Sequence, residues 1–351
     1  MPEGYTHVRT AQKAAAALHH KIRCPAAFAA GANGPDLLFC FEAWKPGHKR
    51  RYDLPRLGNR MHEEKTGAFL RCLCRRVKTT AQVEYAMGFL SHYAADTVLH
   101  PYVCAMCAPG MPYAGPGGHG YFEIALDSTL HAEDTGEGRI PADEVSPLPV
   151  GQELSELVQL LHDCLLEVYD EDIPIEYLAD AFYYTNRLRR MFPSRHGVRK
   201  VVFWLIEPLF GGRGTVTGHL SPRKLADPLP EQWTDPFTGT QREETPFDLL
   251  VTAQQRSEEF IRAALKTWMG KLSREEFEAL LGSMSYTQGI ATPQSDPDAD
   301  WPQETPPEPE AAPEQESAPQ APESAAQSEA AQPGPEETAP APQPAAPDAA
   351  H

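Results

Sequence analysis

The sequence predicts an all-α fold: a multi-helix bundle with a metal cleft, plus a disordered C-terminal tail. Apolar residues recur near a 3.6-residue period through most of the first 290 residues, with no convincing strand alternation and no internal repeat. Imidazole and carboxylate groups recur at four-residue spacing within residues 88–123. Near Thr292 the composition turns to Pro, Ala, Glu, Gln and Ser, with Trp301 as the lone aromatic. Such a segment buries too little apolar surface to offset the entropy of ordering. The expected organisation is therefore a helical domain over 1–290 and an acidic, Pro/Ala/Glu-rich tail over 291–351.

Thr6 or Thr10 caps a first helix that runs through the Ala-rich stretch to about His20. Residues 26–34 read as a link, and Asn33-Gly34-Pro35 is turn chemistry. Pro35 suits the opening of a short helix over 36–44. A basic, Pro/Gly-rich loop follows to Arg60, then a helix over 61–77 with Phe69, Leu70, Leu73 and Val77 as apolar positions. Thr79 or Thr80 caps a long helix to about Cys104, with Val83, Met87, Leu90 and Val98 on its apolar positions. Further helices are expected at 118–133, 153–169, 176–191, 197–209, 248–269 and 273–281. Residues 210–245 show no clear period and read as a long ordered loop, a lid or site wall. The total is eight to ten helices.

The chain has a formal net charge of −18, and the stretch after Thr292 holds thirteen acids and no Lys or Arg, so the folded part is near −5. No basic stripe is present to track a phosphate backbone, which argues against nucleic acid as a partner. The run KPGHKRR at 45–51 reads as a solvated loop. No window of 18 apolar residues exists, so no transmembrane segment is expected. The polar N-terminus predicts no signal peptide, and seven Cys without framework spacing suit reduced thiols in the cytoplasm. Cys104 and Cys107 form a CxxC with no second pair to complete a zinc ribbon.

The chemistry concentrates in residues 88–123. His92, Asp96 and His100 stand four apart, as do His119 and Glu123. Residues four apart share a helix face, so two consecutive helices each present an edge of metal-ligating groups. Mixed imidazole and carboxylate sets of this size suit more than one ion. His7, Asp36 and His62 fall at the starts of three predicted helices and bring the candidate ligands to eight. His19, His20, His48, His131, His162, His196 and His219 fit no ligand pattern.

The order His, Asp, His, HxxxD, His, HxxxE, with GPD around Asp36 and SHYAAD at 91–96, resembles the zinc-dependent phospholipase C family. The resemblance covers roughly residues 1–210 and is strongest over 34–123. It implies an all-α bundle that binds two or three Zn2+ ions in a cleft. It implies that Asp36, His62, His92 and Asp96 hold one zinc, and that His100, His119 and Glu123 hold a second. His7, with Asp96 as a bridge, holds a third. Asp36 is implied as the catalytic base as well as a ligand. The activity implied is phosphodiester hydrolysis, with a phospholipid or other phosphodiester as substrate. Zinc lowers the pKa of bound water toward ~7, which supplies the attacking hydroxide, and clustered cations stabilise the charge that develops on phosphorus oxygens.

The chain departs from the secreted enzymes of that family in two ways. Their N-terminal Trp ligand is missing, and Pro2, exposed by removal of Met1, is the expected substitute. The spacing from His92 to His100 is also tighter. Secreted single-strand nucleases of the same fold carry HxxxD where this chain has HxxxE at His119 and Glu123, so a nuclease or nucleotide phosphodiesterase is the alternative enzyme. A non-catalytic metal-binding interaction protein is the alternative of a different class. Glu3 is a candidate for a substrate cationic group or a solvated carboxylate. Tyr5, Tyr93 and Tyr121 wall the cleft or simply pack. Asp127 orients His119 or lies on a solvated face. Arg195, Arg199 and Lys200 lie close together without a phosphate-binding spacing.

Overall fold

The computed structural model describes residues 4–137, 139–191, 198–207, 217 and 224–292. Twelve α-helices lie among them: α1 (Gly4–Ala17), α2 (Pro25–Ala32), α3 (Leu54–Glu63), α4 (Thr66–Arg76), α5 (Thr80–Met106), α6 (Gly118–Thr135), α7 (Ala142–Val145), α8 (Gly151–Tyr169), α9 (Ile175–Met191), α10 (Val198–Ile206), α11 (Pro246–Trp268) and α12 (Arg274–Leu281). Two 3₁₀ segments, Gly34–Cys40 and Gly47–Lys49, join α2 to α3. The all-α expectation therefore holds. One two-residue hairpin, Trp233–Thr234 with Gln241–Arg242, interrupts the segment read as loop. Residues 210–216 and 218–223 of the expected lid fall outside the described residues, and the tail does so from residue 293 onward.

Helix α5 is the axis. Its N-cap Thr79 accepts from the Gln82 N–H, and nearly every residue from Ala81 to Met106 is buried. A helix that is apolar on all sides must be surrounded. The α3, α4, α8 and α9 helices supply one core around its first half, through Leu57, Met61, Phe69, Leu73, Leu161 and Phe182. Its second half packs with α6, α11 and Trp233 of the hairpin. The α1 and α2 helices cover it through Val8, Ala11, Phe28 and Ala32.

Three local expectations change. Residues 26–32 of the expected link belong to helix α2, because α2 is pressed against α5. A Cβ on Gly31 would lie 2.0 Å from the Tyr85 carbonyl oxygen, and one on Gly88 would lie 2.3 Å from the Phe28 oxygen. Gly costs helix propensity, and that cost is offset here by backbone-to-backbone packing. The segment around Asp36 is 3₁₀ and ends at Cys40. The single helix expected over 61–77 is broken at Lys65, which is left-handed at φ 51°. Tertiary contacts hold that break: Tyr169 Oη donates to the Glu64 carbonyl at 2.9 Å and Lys65 Nζ to the Val168 carbonyl at 3.0 Å. His62 consequently sits in the last turn of α3, not at a helix start.

Three cations of the basic run at 45–51 are paired locally. Glu42 accepts from Lys45 Nζ at 2.7 Å and Arg51 Nε at 2.6 Å, and Arg50 pairs with Asp53. The α11 and α12 helices start with capping boxes, Thr245 with Asp248 and Ser273 with Glu276. After α12 the chain returns to the centre. Ala291 bridges to Met284, and Thr292 N–H donates to the Ser283 carbonyl.

Gly88→Ala should lower stability by ~1–3 kcal/mol through overpacking. Denaturant unfolding with chelator present measures this, and an unchanged midpoint would show that α2 and α5 separate freely.

Candidate metal centre

The structure brings all eight candidate ligands together from five elements. His7 comes from α1, Asp36 from the first 3₁₀ segment and His62 from the end of α3. His92, Asp96 and His100 form one edge of α5, and His119 and Glu123 lie in the first turns of α6. Seven of the eight are buried, while His119 is exposed with 45% of its side chain accessible.

Asp96 is at the middle. Its Oδ1 is 3.2 Å from His7 Nε2, and its Oδ2 is 3.0 Å from His92 Nε2 and 3.9 Å from His62 Nε2. Asp36 lies opposite, with Oδ1 3.1 Å from His62 Nε2 and Oδ2 3.8 Å from His92 Nε2. A second group forms alongside: Glu123 Oε1 is 2.8 Å from His119 Nε2 and 3.5 Å from His100 Nε2. Three sets have one ligand atom per residue within 4.8 Å of one another: His7, Asp36 and His92; His62, His92 and Asp96; and His100, His119 and Glu123. His7 thus reaches Asp36 and His92 as well as Asp96.

Two observations test whether a cation fits. A tetrahedral zinc with bonds of roughly 2.0–2.1 Å separates its ligand atoms by roughly 3.3 Å, and the 3.0–3.9 Å spacings around Asp96 bracket that value. Second, His7 Nδ1, Asp36 Oδ2, His92 Nε2, Asp96 Oδ2 and Glu123 Oε2 are buried without a hydrogen-bond partner. Each such atom costs about 1–3 kcal/mol. Five of them in one centre are difficult to explain as packing. They are the acceptors a divalent cation satisfies. The His and carboxylate clusters therefore fit zinc. Among the described residues, these clusters contain no cysteine, and all seven Cys, including Cys104 and Cys107, are free thiols.

Electrostatics in the absence of an ion keep the carboxylates charged and His7 neutral, while the same carboxylates favour a proton on His92 and His100 that an ion would have to displace. Burial pushes the His7 imidazole down to about 4, against the pull of Asp96, so it is neutral near pH 7 with a lone pair to offer. For Asp96, burial would raise the carboxyl, but His100, His92 and His7 together hold it well below the usual carboxylate range. Burial likewise opposes ionisation of Glu123, and the His119 charge with hydrogen bonds from His100 and His119 overcomes it. His100 is moved the other way: burial lowers it, but Asp96 and Glu123 raise it to about 10. Both carboxylates stay ionised where a cation needs them.

A ring of backbone carbonyls fixes the imidazoles. His62 Nδ1 donates to Gly58 O at 2.7 Å, His92 Nδ1 to Ala32 O at 3.1 Å and His100 Nδ1 to Tyr286 O at 3.0 Å. Each bond sets the tautomer and turns Nε2 toward the carboxylates. Gly34, at φ 53°, permits this at His92, since a Cβ there would lie 2.3 Å from the ring.

Sequence reasoning missed Tyr286. Its carbonyl holds His100, its N–H donates to the His62 carbonyl at 2.8 Å, and its ring packs 5.3 Å from His62 and 5.6 Å from His92. No spacing signal links residue 286 to the ligands, because the contact exists only once the chain has returned after α12. Asp127 is corrected. It is buried and accepts from the Tyr5 N–H at 2.9 Å, the Thr6 N–H at 2.8 Å and Thr6 Oγ1. It caps the start of α1 rather than orienting His119 or facing solvent. Tyr93 is fully buried and stacked on Phe260, so it does not wall the cleft. Tyr5 donates to Asp134. Pro2, Glu3 and Arg195 lie outside the described residues, as do the side chains of Arg199 and Lys200.

A cavity of about 30 Å³ adjoins the centre between α1, α5 and α6. His7, Asp96, His100 and Glu123 form its polar side, and Leu99, Val103, Phe122 and Leu126 its apolar side. That volume admits about one or two waters.

Fold and site together define an all-α domain with a buried His and carboxylate centre suited to zinc. Residues 6–170 match the family described as zinc dependent phospholipase C, and all eight candidate ligands lie inside that stretch. Over that stretch the chain is similar to the zinc-dependent phospholipase C family. No curated protein and no solved structure matches the chain.

Asp127→Ala removes the acceptor for three donors at the start of α1. The expected loss is ~1–3 kcal/mol of stability, read from thermal or denaturant unfolding, and no loss would mean that α1 holds its place without this cap.

Proposed function

We propose that the protein is a zinc-dependent phosphoric-diester hydrolase of phospholipase C type, acting on a phospholipid or a related phosphodiester. What supports the reading is the convergence of three donor sets with partnerless buried atoms inside the stretch that matches the family. In this reading Asp36, His62, His92 and Asp96 hold one ion, and His100, His119 and Glu123 hold another. His7 holds a third with Asp96 shared. Bound zinc supplies Lewis-acid activation of water near neutral pH and positive charge for the phosphodiester.

The chain's own residues do the rest. Asp36 keeps Oδ1 against His62, and in this reading its carboxylate both holds an ion and takes a proton from an attacking water. Asp96 holds His7 and His92 at a common distance and so fixes the two halves of the site against each other. His119, the exposed ligand, stands at the mouth where substrate enters. Leu99, Val103, Phe122 and Leu126 exclude bulk water, which strengthens the electrostatics around the carboxylates. The domain over 1–290 carries the activity, and the tail takes no part in it.

Metal analysis of the purified chain should find two or three zinc ions, and hydrolysis should require them. The panel is an aryl phosphodiester, choline and ethanolamine phospholipids, and single-stranded DNA. Protein that stays inert on every substrate after zinc addition would overturn the proposal, and turnover of DNA alone would reassign it to a nuclease. His92→Ala and Asp96→Ala should each lower kcat/KM by more than about a hundredfold, since second-layer losses alone reach that range. Asp96→Ala should also release more zinc than His119→Ala. Deletion of residues 294–351 should leave turnover unchanged, and a large loss would place the tail in the catalytic machinery.

A further inference from the structure

We propose that residues 283–292 form a clamp that sets how tightly the centre holds zinc, with Tyr286 as the positioning residue for His100; this rests on the zinc-binding reading above. The segment lies wholly beyond the stretch of 6–170 that matches the family. It is built as a closed turn. Ser285 N–H donates to the Ile290 carbonyl at 2.8 Å, and Gly289 N–H donates to the Ser285 carbonyl at 2.9 Å. Ser283 ties the stem to α4: its Oγ accepts from the Gly67 N–H at 3.1 Å and lies 3.1 Å from Thr66 Oγ1 and 2.7 Å from Thr292 Oγ1. Tyr93 Oη accepts from the Met284 N–H and donates to the Leu281 carbonyl, both at 3.0 Å.

The turn meets α5 at a notch that the sequence prepares. Pro101 stands inside α5 and has no N–H to donate to the Thr97 carbonyl one turn earlier. Gly289 lies against that carbonyl at φ 66°, and a Cβ on it would be 2.5 Å from Thr97 O and 2.9 Å from Pro101 Cγ. Thr97 and Pro101 directly follow the candidate ligands Asp96 and His100. The close approach at Gly289 therefore sets how deeply Tyr286 sits in the centre.

At that depth the backbone of Tyr286 serves both donor groups. Its N–H meets the His62 carbonyl in the last turn of α3, where carbonyls lack helical donors. Its own carbonyl accepts from His100 Nδ1 at 3.0 Å, which leaves His100 Nε2 facing Glu123 at 3.5 Å. Gly58 and Ala32, which orient His62 and His92, belong to helices, whereas Tyr286 belongs to a turn. The acceptor for His100 can thus be withdrawn without dismantling a helix. Loss of such a partner from a metal-ligating imidazole typically weakens metal binding by about 10–100-fold.

The test uses the full chain, with zinc affinity read by competition against a chromophoric chelator. Gly289→Ala changes no ligand but forces the turn away from α5. It should weaken one bound zinc by about 10–100-fold and leave the number bound at saturation unchanged. Gly270→Ala is the control, because Gly270 has φ 68° and nothing within 4 Å of its added Cβ. It imposes comparable backbone strain and should keep wild-type affinity. Equal weakening in both variants, or none in Gly289→Ala, overturns the proposal. In a His100→Ala background Gly289→Ala should add less than about threefold, since both act on one imidazole; a full further loss also overturns it. Should Gly289→Ala fail to fold, Ser283→Ala decides: it loosens the stem, and unchanged zinc affinity overturns the clamp. The two readings fail separately. Zinc held without regard to Gly289 or Ser283 sinks only the clamp. Clamp-dependent zinc in a protein inert on every diester sinks only the hydrolase.

Discussion

The structure depends on one buried carboxylate. Asp96 sits in the middle of the central helix, 1% exposed, with His7 and His92 within 3.2 Å. An ionised group in such a place is tolerated only if its charge and lone pairs are met. The imidazoles meet part of that requirement, yet Asp96 Oδ2 and four other donor atoms nearby stay without hydrogen bonds. The arrangement is high in free energy unless a cation completes it. Metal binding and folding of this centre are therefore coupled.

The surrounding helices serve that requirement. His62, His92 and His100 are each turned inward by a backbone carbonyl from a different element: Gly58, Ala32 and Tyr286. For Ala32 to reach His92, α2 must touch α5, which Gly31 and Gly88 allow. Asp127 anchors the first turn of α1, one residue before His7. Tyr286 matters most for the extent of the domain. It lies more than a hundred residues past the matched stretch of 6–170, yet it holds two of the candidate ligands through its backbone. The last helices are thus part of the centre and not an appendage.

Outside the centre, the most concentrated basic run is largely tied up within the fold: Lys45 and Arg51 pair with Glu42, Arg51 also with Asp180, and Arg50 with Asp53.

The sequence by itself determined the all-α class and the ligand edge of α5, because a period of 3.6 and a spacing of four are local properties. It also determined the list of eight candidate ligands, through residue order, and the extents of most later helices. It misread whatever non-local contact decides. Residues 26–32 became a helix by packing on α5, the helix over 61–77 broke where Tyr169 and Val168 hold Glu64 and Lys65, and Asp127 found the amides of α1 across more than a hundred residues. Tyr286 carried no signal at all. Only the tertiary structure decided which carbonyl orients which imidazole and which donor atoms are left for a cation. Each of these is set by groups distant in sequence that meet only when desolvation of the helices forces them together.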